Sequence, residues 1–383
     1  MGKHALLSPS AAHRWMNCPA APKLEAQMPD NATPYALEGT LAHAYCAMKL
    51  KEFLNLDTLA EYEEILQLKD EYHTGEMDEY TDTYATIVME KYNAARKLTR
   101  DARLLVETRL DFSAYVPDSF GTSDATIIAD GCMEIIDFKY GKGVRVSAID
   151  NPQMMIYALG AYTAHSDEYS IDRVRMTIVQ PRIDNLSEFE MSVEELLGWA
   201  ETRLKPAARE AYRDDAGQSP GEWCQFCKVK SSCRALAEKC MGVAKDSPDP
   251  RLIPADVMAA EILPWLSTIK TWCSGVEDYA LERALAGERY PGYKLVEGRS
   301  VRKITDPEAM ALLLRQEGYA DSEFMKPASL CGLTDLEKLV GKKHLAAIGA
   351  DYITKPQGKP TLVPEGDKRP ALNTAVSDFD GID

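Results

Sequence analysis

The stretch Gly121-Thr-Ser-Asp-Ala-Thr-Ile-Ile-Ala-Asp-Gly-Cys-Met-Glu-Ile-Ile-Asp-Phe-Lys139 predicts two apolar strands joined at the Asp130-Gly131 pair. Asp-Gly is favoured in the two-residue type I′ turns of β-hairpins. Asp124 lies six residues before this pair and Asp137 six residues after it, so the turn would place the two aspartates opposite each other, with Cβ atoms on the order of 5 Å apart. Facing carboxylates repel unless a cation lies between them, and Lys139 projects from the same face as Asp137. The stretch therefore predicts a hairpin that carries a divalent-metal site.

The residues around the hairpin predict a mixed α/β core rather than a helical bundle or a β-sandwich. Asn151-Pro152 supplies an N-cap and a first-turn proline for a following helix. The apolar patterns predict strands at 104–112, 122–128, 133–140 and 174–181 and helices at 153–162 and 193–212.

Outside this core, helical periodicity predicts two N-terminal helices, at 35–54 and 77–98. Asp246-Ser-Pro-Asp-Pro250 is typical of a linker. Beyond it we expect helices at 255–286, 307–316 and 335–348, and two short strands, 292–297 and 299–304, that pair with each other. The expected organisation is a first domain over 1–245, an α+β extension over 246–354 and an extended or disordered tail over 355–383.

Composition narrows the classes of protein. With 383 residues and 45% hydrophobic content, the chain can bury a substantial core. A formal charge of -16 argues against a generally basic protein that coats nucleic acid, but it allows a local basic groove. No apolar run is long enough for a bilayer and the N-terminus lacks a signal-peptide core, so we expect a cytoplasmic protein with no membrane partner.

The nine cysteines are not expected to form a disulfide framework in a reducing compartment. Cys224, Cys227 and Cys233 have the close spacing of metal ligands. The scattered cysteines are predicted to be packing residues: Cys46, Cys132, Cys240, Cys273 and Cys331.

The hairpin residues suit phosphodiester hydrolysis, which needs a cation to neutralise charge in the transition state. The carboxylates of Asp124 and Asp137 and a backbone carbonyl, at Phe138, are the hard oxygen ligands that Mg²⁺ or Mn²⁺ prefers. Lys139 could either deprotonate the attacking water or stabilise the developing charge.

Three further side chains could complete this site. Gln153 and Tyr157 are one helical turn apart and therefore share a face. His43 can join the site if its helix packs across the edge of the sheet. Glu107, on the first strand, has a position that suits a metal ligand and a surface residue equally.

Taken in order over residues 33–165, His43, the Gly-Thr-Ser-Asp124 strand, Asp137-Phe-Lys139 and Gln153-Met-Met-Ile-Tyr157 resemble the PD-(D/E)XK nuclease superfamily, specifically its RecB-like branch. The resemblance implies that His43, Asp124 and Asp137 bind metal. It also implies that Asp137-Phe-Lys139 is the Asp/Glu-x-Lys motif, and that Gln153 and Tyr157 together form the QxxxY motif. It further implies a restriction-endonuclease-like mixed β-sheet core flanked by helices. The activity implied is that of a metal-dependent DNA nuclease, an exonuclease acting at ends or in single strands.

The segment Leu7-Ser-Pro-Ser-Ala-Ala-His-Arg-Trp-Met-Asn-Cys18-Pro19 resembles the start of RecB-like nucleases that carry an iron-sulfur cluster. In those enzymes one cysteine precedes the nuclease motifs and three follow them, which corresponds here to Cys18 and the 224–233 group. A [4Fe-4S] cluster needs four thiolates. Four cysteines also suit Zn²⁺, so zinc is the alternative.

The whole chain also resembles a family of phage and prophage proteins with this nuclease core, which implies a role in phage or bacterial recombination or replication. DNA is the expected partner, together with a helicase, a single-strand-binding protein or a recombination protein. The cationic candidates for DNA contact are Lys142, Arg145, Lys228, Lys230 and Arg234. The alternative function is a non-catalytic DNA-binding or scaffolding protein on the same fold.

Overall fold

A computed structural model describes residues 5–29, 33–246, 253–298, 303–326, 329–330, 333–354, 358–364 and 370–371. The chain divides into two compact units, Met1–Trp272 and Cys273–Asp383, and each is treated by itself. Residues 247–250 of the predicted linker and most of the predicted tail lie outside the described residues, whereas Asp246 still belongs to a helix.

The first unit is built on a five-stranded sheet with the strand order β1-β2-β3-β4-β5. The β3–β4 pair is parallel and the other three neighbouring pairs are antiparallel. The strands are β1 (Arg103–Asp111), β2 (Phe120–Ile128), β3 (Gly131–Phe138), β4 (Ile171–Gln180) and β5 (Asn185–Ser192). The predicted mixed sheet flanked by helices is confirmed. The edge strand β5 was not predicted, because its sequence, NLSEFEMS, shows little alternation of apolar and polar residues.

The hairpin between β2 and β3 has the predicted register but not the predicted turn. Ala125 pairs with Ile136 and Ile127 with Glu134, which is the register that places Asp124 opposite Asp137. A type I′ turn needs positive φ at both central residues, whereas only Gly131, at φ 78°, has it. The type I′ prediction is wrong because Asp130 and Gly131 also serve β4: the Asp130 side chain and the Gly131 N–H both bond to the backbone of Ser170.

Helices cover both faces of this sheet. The helix predicted at 193–212 is one continuous stretch in which a π-helical turn, Ala200–Leu204, separates α7 from α8. The helices up to residue 246 are α1 (Ala12–Asn17), α2 (Ala21–Glu25), α3 (Pro34–Phe53), α4 (Leu59–Tyr72), α5 (Gly75–Leu98), α6 (Pro152–His165), α7 (Val193–Trp199), α8 (Lys205–Ala211) and α9 (Arg234–Asp246). They are followed by α10 (Ala255–Val257) and α11 (Leu263–Leu285).

Alternate side chains of β3 enter two separate apolar layers, as the pleat of a strand requires. Met133 and Ile135 pack with α6, α7 and α8 on one face. Ile136 and Phe138 pack with α3 and α5 on the other. The end of β3 is consequently held between α6 on one side and α3 on the other.

Helix α6 approaches β1 closely because Gly160 has no side chain. A Cβ at this position would lie 2.6 Å from Phe112 Cδ1 and 3.1 Å from Leu110 Cβ. This contact seats the buried helix against the sheet and sets the position of Gln153 and Tyr157 at its N-terminal end.

The second unit has its own apolar cluster, which includes Met310, Leu314, Phe324, Leu336 and Leu345. Its elements are β6 (Tyr293–Gly298), β7 (Lys303–Ile304), α12 (Pro307–Gln316), α13 (Asp321–Phe324), β8 (Met325–Lys326), β9 (Ser329–Leu330), α14 (Leu333–Val340), α15 (Lys342–Ile348), β10 (Ile353–Thr354) and β11 (Gly358–Pro364). The helix predicted at 335–348 is broken at Gly341, whose φ is 89°.

The described parts of the strands predicted at 292–297 and 299–304 pair with other strands and not with each other. β6 pairs with β11 and β7 pairs with β10, all antiparallel. Closeness along the chain does not decide the partner of a strand, since any edge with free N–H and C=O groups can pair with it. Residues 299–302 of the second predicted strand lie outside the described residues.

The cysteines predicted to be packing residues differ in exposure. Cys46 and Cys240 are buried and Cys132 is half-buried, but Cys273 is exposed, so a packing role is wrong for that residue. Cys331 lies outside the described residues. Of the helices that the structure describes, none combines the length and the apolar character needed to cross a bilayer.

We expect Gly160→Ala to lower the free energy of unfolding by about 1–3 kcal/mol, because the added methyl group would overlap the Phe112 ring. Urea denaturation followed by circular dichroism measures this change. The matched control is Gly198→Ala in α7, where a Cβ meets nothing within 4 Å, and it should be neutral or stabilise by up to about 1 kcal/mol. Equal effects of the two substitutions would contradict the close seating of α6.

Candidate active site

The site lies where β2 and β3 separate. Their pairing ends at Ala125 and Ile136, whereas β2 continues back to Phe120 beside β1 and β3 continues to Phe138 beside β4. Asp124 and Asp137 are the first opposed positions beyond the last pair. The Asp124 carboxylate enters the opening and accepts the Phe138 N–H through Oδ2 at 2.7 Å.

Three donor side chains converge on this opening. One ligand atom from each of His43, Glu107 and Asp124 lies within 4.8 Å of the other two, and His43 Nδ1 is 3.4 Å from Asp124 Oδ1. Helix α3 supplies His43, whose ring packs edge-on against Phe138 at 5.3 Å between centroids. Helix α3 therefore packs against the sheet in a position that brings His43 to the site.

Glu107 is the member of this cluster that sequence reasoning left open. On β1 it lies between two registered pairs, Val106 with Ala125 and Thr108 with Ser123, and so faces Asp124. Its φ of 48° is unusual for a strand residue and marks a local distortion of β1 at this point. Only the pairing of β1 with β2 distinguishes it from the other polar residues of β1.

Burial of several carboxylates perturbs the titration of the whole cluster. Burial raises the pKa of Glu107, and the neighbouring Asp124 raises it further, to about 8. Burial alone would lower the pKa of His43, but the surrounding carboxylates, Asp124 first, outweigh this and raise it to about 9. In turn His43 lowers the pKa of Asp124 against the effect of burial. The cluster accordingly has more negative charge than its buried position tolerates without a proton or a cation.

Asp137, Lys139 and Gln153 form a second, linked group. Lys139 Nζ lies 2.8 Å from Asp137 Oδ2 and donates to Gln153 Oε1 at 3.2 Å, while Gln153 Nε2 donates to Asp137 Oδ1 at 3.1 Å. Asp137 Oδ2 is buried, and its contact with Lys139 is an ion pair whose angles fall outside those of a hydrogen bond.

The start of α6 positions Gln153. Asn151 caps the helix by accepting the N–H groups of Gln153 and Met154 at 3.0 and 3.4 Å, and Pro152 occupies the first turn. Tyr157, one turn later, is buried against the Phe112 ring. Burial, with the charges of Asp137 and Asp124, raises the Tyr157 pKa, so it acts as a neutral phenol.

The structure thus brings His43, Asp124, Asp137, Lys139, Gln153 and Tyr157 to one end of the sheet. The role of Phe138 as a carbonyl ligand stays a prediction: its side chain is buried and its N–H bonds to Asp124.

The four cysteines of the predicted metal site, Cys18, Cys224, Cys227 and Cys233, line one small cavity. Backbone N–H groups point at their sulfurs: Ser219 N lies 3.4 Å from Cys18 Sγ and Gly221 N lies 3.4 Å from Cys224 Sγ. No three of these sulfurs approach within 4.8 Å of one another in the described part of the chain. Cysteines that are far apart in sequence therefore meet at one place in the fold.

The predicted DNA contacts are dispersed. Lys142 and Arg145 are exposed on the turn after β3. Lys230 donates to the Gln225 carbonyl at 3.0 Å, and Arg234 pairs with Glu238 at 2.6 Å on α9. Lys228 is exposed.

Fold and site together define a mixed α/β protein with a buried acidic cluster at a strand fork and a separate four-cysteine site. By sequence, the chain belongs to the family described as Protein of unknown function (DUF2800), whose model matches residues 4–370.

Two solved structures resemble the chain in part. A candidate exonuclease from Eubacterium rectale shares 11% identity with it, over 58% of this chain and 86% of that one, with a TM-score of 0.34. The protein SSO0001 shares 13% identity, over 51% of this chain and 85% of that one, with a TM-score of 0.26. Similarity at this level assigns no activity, so the function proposed below is based on the geometry of the site.

We expect Glu107→Gln to stabilise the metal-free protein at pH 8 by about 1–3 kcal/mol, because the substitution removes a buried carboxylate beside Asp124. Because the pKa of Glu107 is raised from the ordinary 4.5 to about 8, the ionised side chain destabilises the fold progressively as the pH rises between these two values. The difference in free energy of unfolding between Glu107→Gln and the wild type, measured with urea in EDTA, should therefore be smaller at pH 5 than at pH 8. The exposed Glu63→Gln is the control, and a Glu107→Gln variant no more stable than it at pH 8 would argue against the crowded cluster.

Proposed function

We propose that this protein is a metal-dependent nuclease that hydrolyses phosphodiester bonds of DNA, acting as an exonuclease at ends or in single strands. The observation that carries the proposal is the fork between β2 and β3, where His43, Glu107 and Asp124 lie within 4.8 Å and Asp137, Lys139 and Gln153 form a linked group beside them. The coarse features of the fold agree with the resemblance found in the motifs.

The donor set fits a divalent cation. Carboxylate oxygens suit Mg²⁺ and Mn²⁺, and a histidine nitrogen adds to the preference for Mn²⁺. Asp137 Oδ2 is buried and lacks a hydrogen bond from the described donors, so its polar contact is the ion pair with Lys139 and a cation could share it. The residues that would hold the ion are His43, Glu107, Asp124 and Asp137. When bound, the ion would neutralise charge on the scissile phosphate and lower the pKa of a water nucleophile.

Lys139 is better suited to stabilise charge than to act as a base. Burial tends to lower its pKa, but the carboxylates of Asp137 and Asp124 outweigh burial and raise it. The ammonium group therefore keeps its proton at neutral pH and presents a positive charge next to the metal ligands. Of the two roles that the sequence allowed, the ion pair favours neutralisation of the charge that develops on the phosphate.

Gln153 and Tyr157 position these groups. The Gln153 amide bridges Lys139 and Asp137, so it holds the lysine at the mouth of the fork and limits rotation of the carboxylate. Tyr157 packs below it as a neutral phenol.

The alternative is a non-catalytic DNA-binding or scaffolding protein. A scaffold gains nothing from crowding the half-buried carboxylates of Glu107 and Asp124 with the buried carboxylate of Asp137, since like charges away from water destabilise a fold. Their presence together at the end of the sheet favours catalysis. The expected setting is phage or bacterial recombination or replication in the cytoplasm of a bacterial host. The expected partners there are a helicase, a single-strand-binding protein or a recombination protein.

We also propose that Cys18, Cys224, Cys227 and Cys233 hold a [4Fe-4S] cluster. The four cysteines line one cavity, and backbone N–H groups point at the sulfurs of Cys18 and Cys224, as suits thiolate ligands. A [4Fe-4S] cluster needs four thiolates, and the resemblance of the motifs favours it over Zn²⁺. The cluster would join the N-terminal segment to the loop before α9 and so act as a structural staple.

Asp137→Asn should reduce DNA digestion by at least about 100-fold, because it removes a metal ligand and the partner of Lys139. The measurement uses end-labelled linear single-stranded and duplex DNA, with circular DNA as the end-free substrate, in Mg²⁺, Mn²⁺ or EDTA. The exposed Asp172→Asn serves as the control and should digest DNA as the wild type does. Tight binding of DNA by the wild type without cleavage in any metal would support the scaffolding alternative.

Cys227→Ser should abolish the brown colour and the iron and sulfide content of anaerobically purified protein and lower its melting temperature. Cys273→Ser is the matched control, since Cys273 is exposed and outside the quartet, and it should keep both the colour and the stability. A colourless wild-type protein that contains one equivalent of zinc would refute the iron-sulfur cluster and support the zinc alternative.

A further inference from the structure

A groove of the first unit includes two residues of the proposed active site, Lys139 and Gln153, in its lining. Its other walls come from the N-terminal segment, the turn between β3 and α6, and the cysteine loop. The groove has a volume of about 620 Å³ and is open to solvent. This volume is within the roughly 300–1,000 Å³ of ligand pockets, so the residues of the walls, and not the size, indicate the occupant.

The groove is lined by three cations, Arg14, Lys139 and Arg145, and by two carboxylates, Asp150 and Glu222. Arg14 is paired with Glu25 at 2.9 Å and Lys139 with Asp137 at 2.8 Å. Arg145 is exposed and has no ion pair or hydrogen bond to the described residues, so its guanidinium is available to a phosphate.

One wall of the groove presents an aromatic ring to solvent. Phe226 is 63% exposed at the end of the short 3₁₀ helix Glu222–Phe226. Two buried cysteines, Cys224 and Cys227, flank it in sequence and face the opposite side of the loop. Trp223, whose Nε1 donates to the Ser219 carbonyl at 2.7 Å, stiffens the same loop. An exposed ring on a well-anchored loop is a suitable platform for stacking.

We propose that this groove binds a single strand of DNA, with a base stacked on Phe226 and a phosphate held by Arg145, so that the strand leads into the fork at Lys139. An exposed phenylalanine face can stack on an unpaired base, whereas the bases of a duplex are already stacked on each other. The proposal rests on the proposed function for the direction of the strand, but binding itself does not depend on cleavage. It narrows the substrate to single strands or single-stranded ends.

The test measures binding of a fluorescein-labelled 12-nucleotide deoxythymidylate by fluorescence anisotropy in Ca²⁺. Phe226→Ala should weaken binding by about fivefold or more, since loss of one stacked base has an effect of that order. Phe226→Tyr should retain binding. The matched control is Phe53→Ala on α3, because Phe53 is 64% exposed and does not line the groove.

Arg145→Gln should weaken binding and reduce the slope of log affinity against log salt by about one, whereas Lys142→Gln on the same turn should change both less. All groove variants should hydrolyse bis(p-nitrophenyl) phosphate like the wild type, since this small phosphodiester does not need the groove.

The outcomes separate the two proposals. Equal affinity of wild type and Phe226→Ala for the single strand, or a preference of the wild type for duplex over single strand, overturns the groove proposal. Binding that depends on Phe226 without cleavage of any DNA supports the groove and refutes the nuclease. A Phe226→Ala variant with the visible absorption and circular dichroism of the wild type is folded. If Phe226→Ala does not fold, the effect of Arg145→Gln on binding tests the groove proposal.

Discussion

The hydrogen bond from the Phe138 N–H to the Asp124 carboxylate is the contact on which the site depends. It forms where the β2–β3 ladder ends, and the carboxylate takes the donor that a continuing strand would otherwise satisfy. Each strand remains in the sheet because its other neighbour still pairs with it. The separation creates a polar opening inside an otherwise apolar layer, and the buried acids of the site gather around it.

The opening is completed from both faces of the sheet. Alternation along β3 directs Phe138 towards α3 and Asp137 towards α6, so each helix brings its own polar residue to the end of the same strand. His43 arrives with α3 and Gln153 with α6. The apolar packing of two helices thus positions groups that repel one another, and the fold accepts that electrostatic cost in the metal-free state.

Much of the site could be predicted from local sequence. The register that opposes Asp124 to Asp137 follows from the position of Asp130-Gly131, even though the turn itself is not type I′. The shared face of Gln153 and Tyr157 follows from helical periodicity, and the start of their helix follows from Asn151-Pro152. Glu107 could not be assigned in this way, because its inclusion depends on the pairing of β1 with β2 across a long loop. The β6–β11 pair was missed for the same reason.

Local sequence is enough to identify the residues that can do chemistry here and to arrange those within one hairpin or one helix, since short-range geometry is set by strand and helix periods. Three relations depend on long-range packing: Glu107 faces Asp124, the four distant cysteines line one cavity, and Phe226 and Arg145 line the same groove as Lys139. These relations join residues far apart in the chain. They arise from how helices and strands pack, and the apolar pattern constrains that packing without specifying which polar groups it will bring together.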